Sequence, residues 1–556
     1  MIRLVLSELD FDYELQALVC SFFSGFKCHV EILEGMHEII TQEEDFAESV
    51  IKKCGFDDGG DSLLVAVYLG GERICAAVTA GGYSLCRNEK DLDGNRDWHK
   101  LEGKKKHPYR TEYKNKLKRL VFNILKDFPE KHLPEGAVRT VPVWGTMTGV
   151  RPTKIIMSEL LKGEKPEDMR RTLDAEYCCS KDKAELGMKI AEKEKHVLET
   201  VDYENEYSLY VGIPFCPSTC MYCSFTSYPM DRYGNFADDY LRALASEIKA
   251  ASEVYPDRNI TSIYIGGGTP TALTAEQLDG LLFNICRYFN VLGCREFTVE
   301  AGRPDSITKE KLTVLAKYGV DRISINPQTM QLKTLEFIGR KHTPKQVVES
   351  FLMAREMGFS NINMDLIIGL PGEDIHDFEN TLGQIEKLRP ESLTVHSLVV
   401  KRGSKLRELL EEQDGCHTAA GMDYKKGMEK TAEAGRLKRH GHDETACEML
   451  RMAQEFADSH GYEPYYMYRQ KNAAGHIGSN GQENIGFSLP YRESLYNILI
   501  MEEMQTILAC GAGASTKIYD DGIKQVRRIE NVKDVTQYIK RIGEMIERKR
   551  KFFSGQ

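Results

Sequence analysis

The chain has 556 residues, 41% hydrophobic and 28% charged, with a formal net charge of -10; the length predicts two or three domains, and the acidic balance argues against a general nucleic-acid binder. No run of about 18 apolar residues is present to cross a membrane, and residues 1–8 lack a basic region followed by an apolar signal core, so a cytoplasmic protein is expected. In that reducing compartment the fifteen cysteines are expected as thiols, not as a disulfide framework.

In chain order, 2–6, 63–69 and 74–78 read as strands, the last two joined as a hairpin through Gly70-Gly71-Glu72-Arg73. Helical spacing follows at 112–128 and 184–201. Between them, 143–152 gathers glycine, an aromatic and arginine, and is expected as a packed loop. The basic runs 104–106, 114–119 and 548–551 are expected as solvated faces or helix ends. Residues 1–203 are thus predicted to form an accessory α+β domain.

The run 207–213 then reads as a buried strand, and directly after it come Cys216, Cys220 and Cys223. Three thiolates on one short loop suggest a metal centre with an open position, because closed zinc sites and iron–sulfur clusters normally take four protein ligands. A zinc site completed by a distant His or Cys is the alternative. Further strands are predicted at 261–265, 296–301, 322–326, 362–368 and 393–398, each after a stretch of helical periodicity. Six βα units imply an α/β fold with a parallel sheet, able to curl into an incomplete (β/α)6 TIM-like barrel over 204–400 with the cysteines at its mouth. Residues 401–556 are expected as a C-terminal α+β extension covering the substrate. It would contain a polar insertion at 407–443, a helix at 445–461, a strand and Gly-Ala-Gly turn within 496–513, and a closing surface helix at 531–551.

Five ordered motifs carry a resemblance: Gly266-Gly267-Gly268-Thr269-Pro270-Thr271, Val299-Glu300-Ala301, the run 322–328 ending in Asn326-Pro327-Gln328, Gly339-Arg340-Lys341-His342-Thr343, and the run 364–372 ending in Gly369-Leu370-Pro371-Gly372. With the cysteines they make the chain resemble the radical S-adenosylmethionine (SAM) superfamily, its oxygen-independent coproporphyrinogen III oxidase group, and by its long leader the HemZ-type branch. The resemblance implies a [4Fe-4S] cluster on the three cysteines, with SAM chelating the fourth iron. It implies that Glu300 and Arg340 bind the methionine end, that Gln328 and Asp365 hold the ribose hydroxyls, and that Ile368, Gly369 and Pro371 shape the adenine pocket. Gly266, Gly267, Gly268 and Thr269 would let backbone approach SAM closely, although glycines also serve tight turns. Tyr210 would be the candidate catalytic residue, near SAM and substrate, or else an interior aromatic. His396 reaches the rim only on one reading of its strand's alternation.

The implied reaction begins with one electron from an external flavodoxin- or ferredoxin-like donor and yields methionine and a 5′-deoxyadenosyl radical. The radical would take a hydrogen from the β-carbon of a propionate of coproporphyrinogen III, and loss of carbon dioxide and one electron would leave a vinyl group, in two rounds. Four substrate carboxylates call for cations, with Lys401 and Arg402 as candidates. The chain departs from the oxidase pattern at Phe225, where a further cysteine is usual, and at Gly212, where histidine is usual. Two other readings share the fold: a haem-binding chaperone, and a radical enzyme that modifies or opens haem. The chaperone's C-terminal His-Asn-x-x-Tyr-Trp segment is replaced here by Tyr496-Asn497-Ile498-Leu499-Ile500.

Overall fold

The computed structural model describes residues 1–23, 26–36, 46–57, 62–70, 73–90, 109–400, 404–408, 439–470, 483–520 and 525–554. They form two compact units: Met1–Ala191 with Tyr468–Gln482, and Glu192–Met467 with Glu483–Gln556.

In the first unit, strands β1 (Ile2–Leu6), β2 (Cys28–Ile32), β3 (Leu63–Leu69), β4 (Arg73–Ala80) and β5 (Tyr83–Lys90) make one sheet in the order β2-β1-β3-β4-β5. β1 is parallel to both neighbours, while β3, β4 and β5 run antiparallel. The near-continuous apolar runs of β1 and β3 suit a sheet covered on both faces. On one face Ile2, Leu4, Val65 and Val67 pack with helices α1 (Asp12–Phe22) and α3 (Arg110–Asp127); on the other, Val5, Leu64 and Ala66 meet α2 (Phe46–Cys54). Sequence reading anticipates β1, β3, β4 and α3. It misses β2, whose residues stay half-buried or exposed and so carry no apolar signal.

Residues 143–152 contain no helix or strand. Their carbonyls are held by cations: Lys118 Nζ donates to Thr146 O and, at 3.0 Å, to Thr148 Oγ1, and Arg469 Nη1 donates to Met147 O at 2.7 Å. Lys118 is therefore buried, against the expectation of a solvated face for 114–119. The run 104–106 and the hairpin residues 71–72 lie outside the described residues.

The second unit carries a mixed α/β sheet of eleven strands. Its parallel centre is β6 (Glu206–Ile213), β9 (Asn259–Gly267), β10 (Glu296–Glu300), β11 (Arg322–Ser324), β12 (Ile362–Ile368) and β13 (Ser392–Ser397), adjacent in sequence order. Between these strands run α4 (Ala237–Ser252), α5 (Ala275–Tyr288), α6 (Lys309–Lys317), α7 (Pro344–Glu356) and α8 (Ile375–Leu388). Thr274, Thr343 and Asp374 start α5, α7 and α8 with reciprocal capping boxes. β11 is shorter than expected, because Pro327 has no N–H for the ladder and Gln328 turns to φ +67°.

Strand β15 (Glu483–Ser488) joins this sheet antiparallel to β13, and β16 (Ile507–Cys510) joins it parallel to β6. The expected strand in 496–513 is only β16; it follows helix α9 (Leu495–Glu502). Ser494 caps that helix, its Oγ accepting from Asn497 N at 3.3 Å, and the buried Glu296 carboxylate accepts from the amides of Leu495 (2.6 Å) and Tyr496 (3.3 Å). The run 531–551 holds two helices, the second being α10 (Ile542–Ser554). It is no purely surface element, since Lys549 is buried and paired with Glu247.

Candidate cofactor site

Short strands β7 (Phe215–Cys216) and β8 (Tyr228–Pro229) pair with each other, and Tyr228 N donates to Pro214 O at 2.8 Å, so the loop bearing the cysteines is stapled at its base. Within the loop Cys223 N donates to Cys220 O at 3.2 Å, and Met221 N is tied to Ile338 O at 3.0 Å. Thr269 Oγ1 donates to Cys216 Sγ at 3.6 Å, and Arg303 Nη1 donates to Cys220 Sγ at 3.5 Å. Burial pushes the Cys216 thiol up to about 11, and the thiols of Cys220 and Cys223 add to that rise. Three crowded, desolvated thiols gain most from a cationic centre that takes them as thiolates. Among the described residues no group of three or more His, Cys, Asp or Glu is placed as a metal-ion site.

The other motifs meet at the C-terminal ends of the parallel strands. Gly267 N–H and Tyr264 O–H (2.5 Å) both donate to Glu300, which ends β10. Burial still pushes its carboxyl up to about 7. A Cβ on Gly266 would stand 2.8 Å from that carboxyl, and one on Gly268 2.6 Å from Phe215 O. The glycine run thus admits Glu300 and the backbone of the cysteine loop, and is a close-packed turn. Arg340 is buried; its guanidinium donates to Gly302 O (3.0 Å), Asn326 O (3.1 Å) and Tyr222 Oη (3.1 Å). Asp365 accepts from Asn326 (2.7 Å) and Asn363 (2.8 Å), with His396 Nε2 at 3.8 Å. Burial alone would raise this carboxyl, but His396, Asn363 and Thr394 hold it below the usual range. Gln328 N donates to Asp365 O at 2.9 Å, and Gly369 turns the chain after β12 with φ +73°.

Gln328 Oε1, Arg340 Nε and Ser324 Oγ are buried and have no hydrogen-bond partner among the described residues. Such atoms are costly to bury unless something else binds them. Their convergence with Glu300 and Asp365 fits a zwitterionic nucleoside ligand such as SAM. Tyr210 lies in a stack with Tyr264 and Tyr496, ring centroids 6.4, 6.2 and 4.4 Å apart. Sequence reasoning missed Tyr264, Tyr496, Asn326, Asn363 and Arg303. The available signal was alternation: Ser208, Tyr210 and Gly212 on β6 stand beside Ser262, Tyr264 and Gly266 on β9, one polar face in register. Lys401 and Arg402 lie outside the described residues.

Residues 210–385 match the profile of the radical SAM superfamily. The oxygen-independent coproporphyrinogen-III oxidase-like protein HemZ of Bacillus subtilis is 40% identical over 413 residues, 74% of this chain and 76% of that protein. The chain belongs to the radical SAM superfamily, in its HemZ-like branch. Two further relatives of this radical SAM chain match over shorter spans. The heme chaperone HemW of B. subtilis is 39% identical over 206 residues, 37% of this chain and 54% of that protein. The oxygen-independent coproporphyrinogen III oxidase of Salmonella typhimurium is 32% identical over 192 residues, 34% of this chain and 42% of that protein. No helix among the described residues is long and apolar enough to cross a membrane.

Proposed function

We propose that the chain is a radical SAM oxidoreductase that decarboxylates two propionates of coproporphyrinogen III to vinyl groups without oxygen, its six βα units forming an incomplete barrel around the reaction. The observation that carries this reading is the convergence of the three-cysteine loop with Glu300, Gln328, Arg340 and Asp365 at one end of consecutive parallel strands. Cys216, Cys220 and Cys223 hold a [4Fe-4S] cluster, Glu300 accepts from the methionine ammonium, Arg340 sits beside its carboxylate, and Gln328 and Asp365 orient the ribose. With cluster and SAM bound and one electron from a flavodoxin- or ferredoxin-like donor, the site would supply a 5′-deoxyadenosyl radical. The chain's residues aim it: Asn326, Asn363 and His396 fix the Asp365 carboxylate, and the tyrosine stack walls the chamber behind Glu300.

The test is anaerobic reconstitution with iron and sulfide, then SAM, dithionite and coproporphyrinogen III, with chromatography of 5′-deoxyadenosine and tetrapyrroles. Protoporphyrin with 5′-deoxyadenosine, and neither from Cys220→Ala, supports the reading. 5′-Deoxyadenosine without decarboxylation keeps the radical enzyme and removes this substrate. The likeness to a heme chaperone at 39% identity favours one second reading, haem carriage. A tight haem absorbance titration with no SAM cleavage would select it.

A further inference from the structure

Arg303 lies three residues beyond Glu300, in the segment that leads out of β10, and only 3% of it is exposed. Its guanidinium faces the cysteine loop, and its charge is also felt by His342 of the 339–343 segment. Nη1 donates to Cys220 Sγ at 3.5 Å and to Ser218 O at 3.3 Å, and Nη2 donates to Ser218 Oγ at 3.1 Å. Asp305 grips the opposite edge, accepting from Nε at 2.9 Å and from Nη2 at 2.8 Å. This two-point fork fixes the direction of the cation. Burial would raise the Asp305 carboxyl, yet the arginine holds it below the usual range, so it stands as a full counter-charge. Thr269 gives Cys216 a neutral donor, whereas Cys220 receives a cationic one.

Hydrogen bonds to ligand sulfurs and fixed charges set the potential of an iron–sulfur cluster. A cation against one sulfur favours the state with the extra electron, and a carboxylate behind that cation opposes it. We propose that Arg303, oriented by Asp305, is the residue pair that sets the reduction potential of the cluster, the arginine raising it and the aspartate trimming it. The inference rests on the proposed cluster at Cys216, Cys220 and Cys223. Both are positioning residues, because neither touches the reacting atoms.

The experiment is an anaerobic redox titration of the reconstituted full-length chain, followed by electron paramagnetic resonance, for the wild type, Arg303→Gln, Arg303→Lys and Asp305→Asn. Arg303→Gln should lower the midpoint by at least a tenfold change in the reduction equilibrium, about 59 mV for one electron. Arg303→Lys should restore most of that change, and Asp305→Asn should move the midpoint upward. A merely structural role predicts lower cluster occupancy with an unchanged midpoint in the clusters that form, and that result overturns the inference. So does movement of Gln and Asn variants in the same direction. Should Arg303→Gln bind no cluster, Asp305→Asn decides: an upward shift supports the proposal, and no shift or a downward one overturns it. A wild-type chain that takes up no four-iron cluster defeats the functional reading itself, whereas equal midpoints in loaded proteins defeat this inference alone.

Discussion

The two large sheets among the described residues bury their faces in opposite ways. In the first unit β1 and β3 turn apolar residues to both sides, Leu4 with Val65 on one and Val5 with Ala66 on the other. In the second unit the parallel strands give one face to Leu209, Val211, Ile263, Ile265, Val299 and Ile323. The other face carries Ser208, Tyr210, Ser262, Tyr264, Thr298, Glu300, Asn363 and Asp365, paired in register across the strands. A polar face kept from water is tolerated only where its groups bond to each other or to a ligand. Deeper in the sheet they bond to each other: Ser208 to Ser262 at 2.7 Å, Arg322 to Ser392 at 2.8 Å. Near the strands' C-terminal ends Gln328, Arg340 and Ser324 keep atoms unpartnered among the described residues. One sheet is apolar on both faces, whereas the other backs an apolar face with a polar one whose buried groups are only partly paired with each other.

The sharpest way to break this contrast is at the cysteine loop. Cys223→Ala should abolish the visible absorbance of a reconstituted cluster and reduce SAM cleavage to below detection, with circular dichroism unchanged. Retained absorbance would move the metal centre elsewhere. Next in size is Glu300→Gln, which keeps the shape of the chamber and removes its charge. Losing one partner of a buried charge pair costs about 2–4 kcal/mol, so equilibrium dialysis should find SAM bound roughly 30- to 1000-fold more weakly. Unchanged affinity would return Glu300 to the role of a structural acceptor for Tyr264.

Much of this was legible in the sequence, and what was lost has a physical cause. Strong apolar runs announced the six parallel strands, and glycine, proline and cysteine announced the loops between them, because those residues impose backbone and ligand chemistry locally. The polar face was hard to read for the converse reason. Ser, Thr and Asn at alternate positions look like a solvated face until the fold closes over them. His396 is the clearest instance: its strand allowed either orientation, and it stands on the polar face, 3.8 Å from Asp365. Long-range pairs were out of reach altogether. Nothing local marks Glu296 as the acceptor at the start of α9, about 200 residues away, or Lys549 as a buried partner of Glu247 rather than a surface charge.

A smaller effect should come from pH. Burial pushes the folded Glu300 carboxyl up to about 7, whereas an unfolded glutamate titrates near 4.3. Stability linked to that proton is fully present below the unfolded value and is lost as pH rises through about 7. SAM binding should run the other way, because its ammonium needs the carboxylate. Affinity should climb by up to about tenfold per unit below pH 7 and level off above it. Melting temperature of the apoprotein and SAM affinity, each measured from pH 5.5 to 8.5, should therefore slope oppositely, and Glu300→Gln should flatten both. Parallel slopes would mean that another group controls binding.

The smallest expected effect on the cofactor belongs to the sheet of the first unit, and it makes the comparison sharpest. Leu4 is fully buried among Leu15, Leu18 and Val65. Leu4→Ala removes packing that no neighbouring polar group can replace, and should cost about 2–5 kcal/mol of the stability of that unit. The chamber's hydrogen bonds and charges are all drawn from the second unit, so SAM affinity of the folded fraction should stay within about twofold of wild type. Chemical denaturation followed by SAM binding at low denaturant separates the two quantities. A loss of affinity matching the loss of stability would mean that the first sheet helps to hold the site, and the contrast between the two sheets would fall.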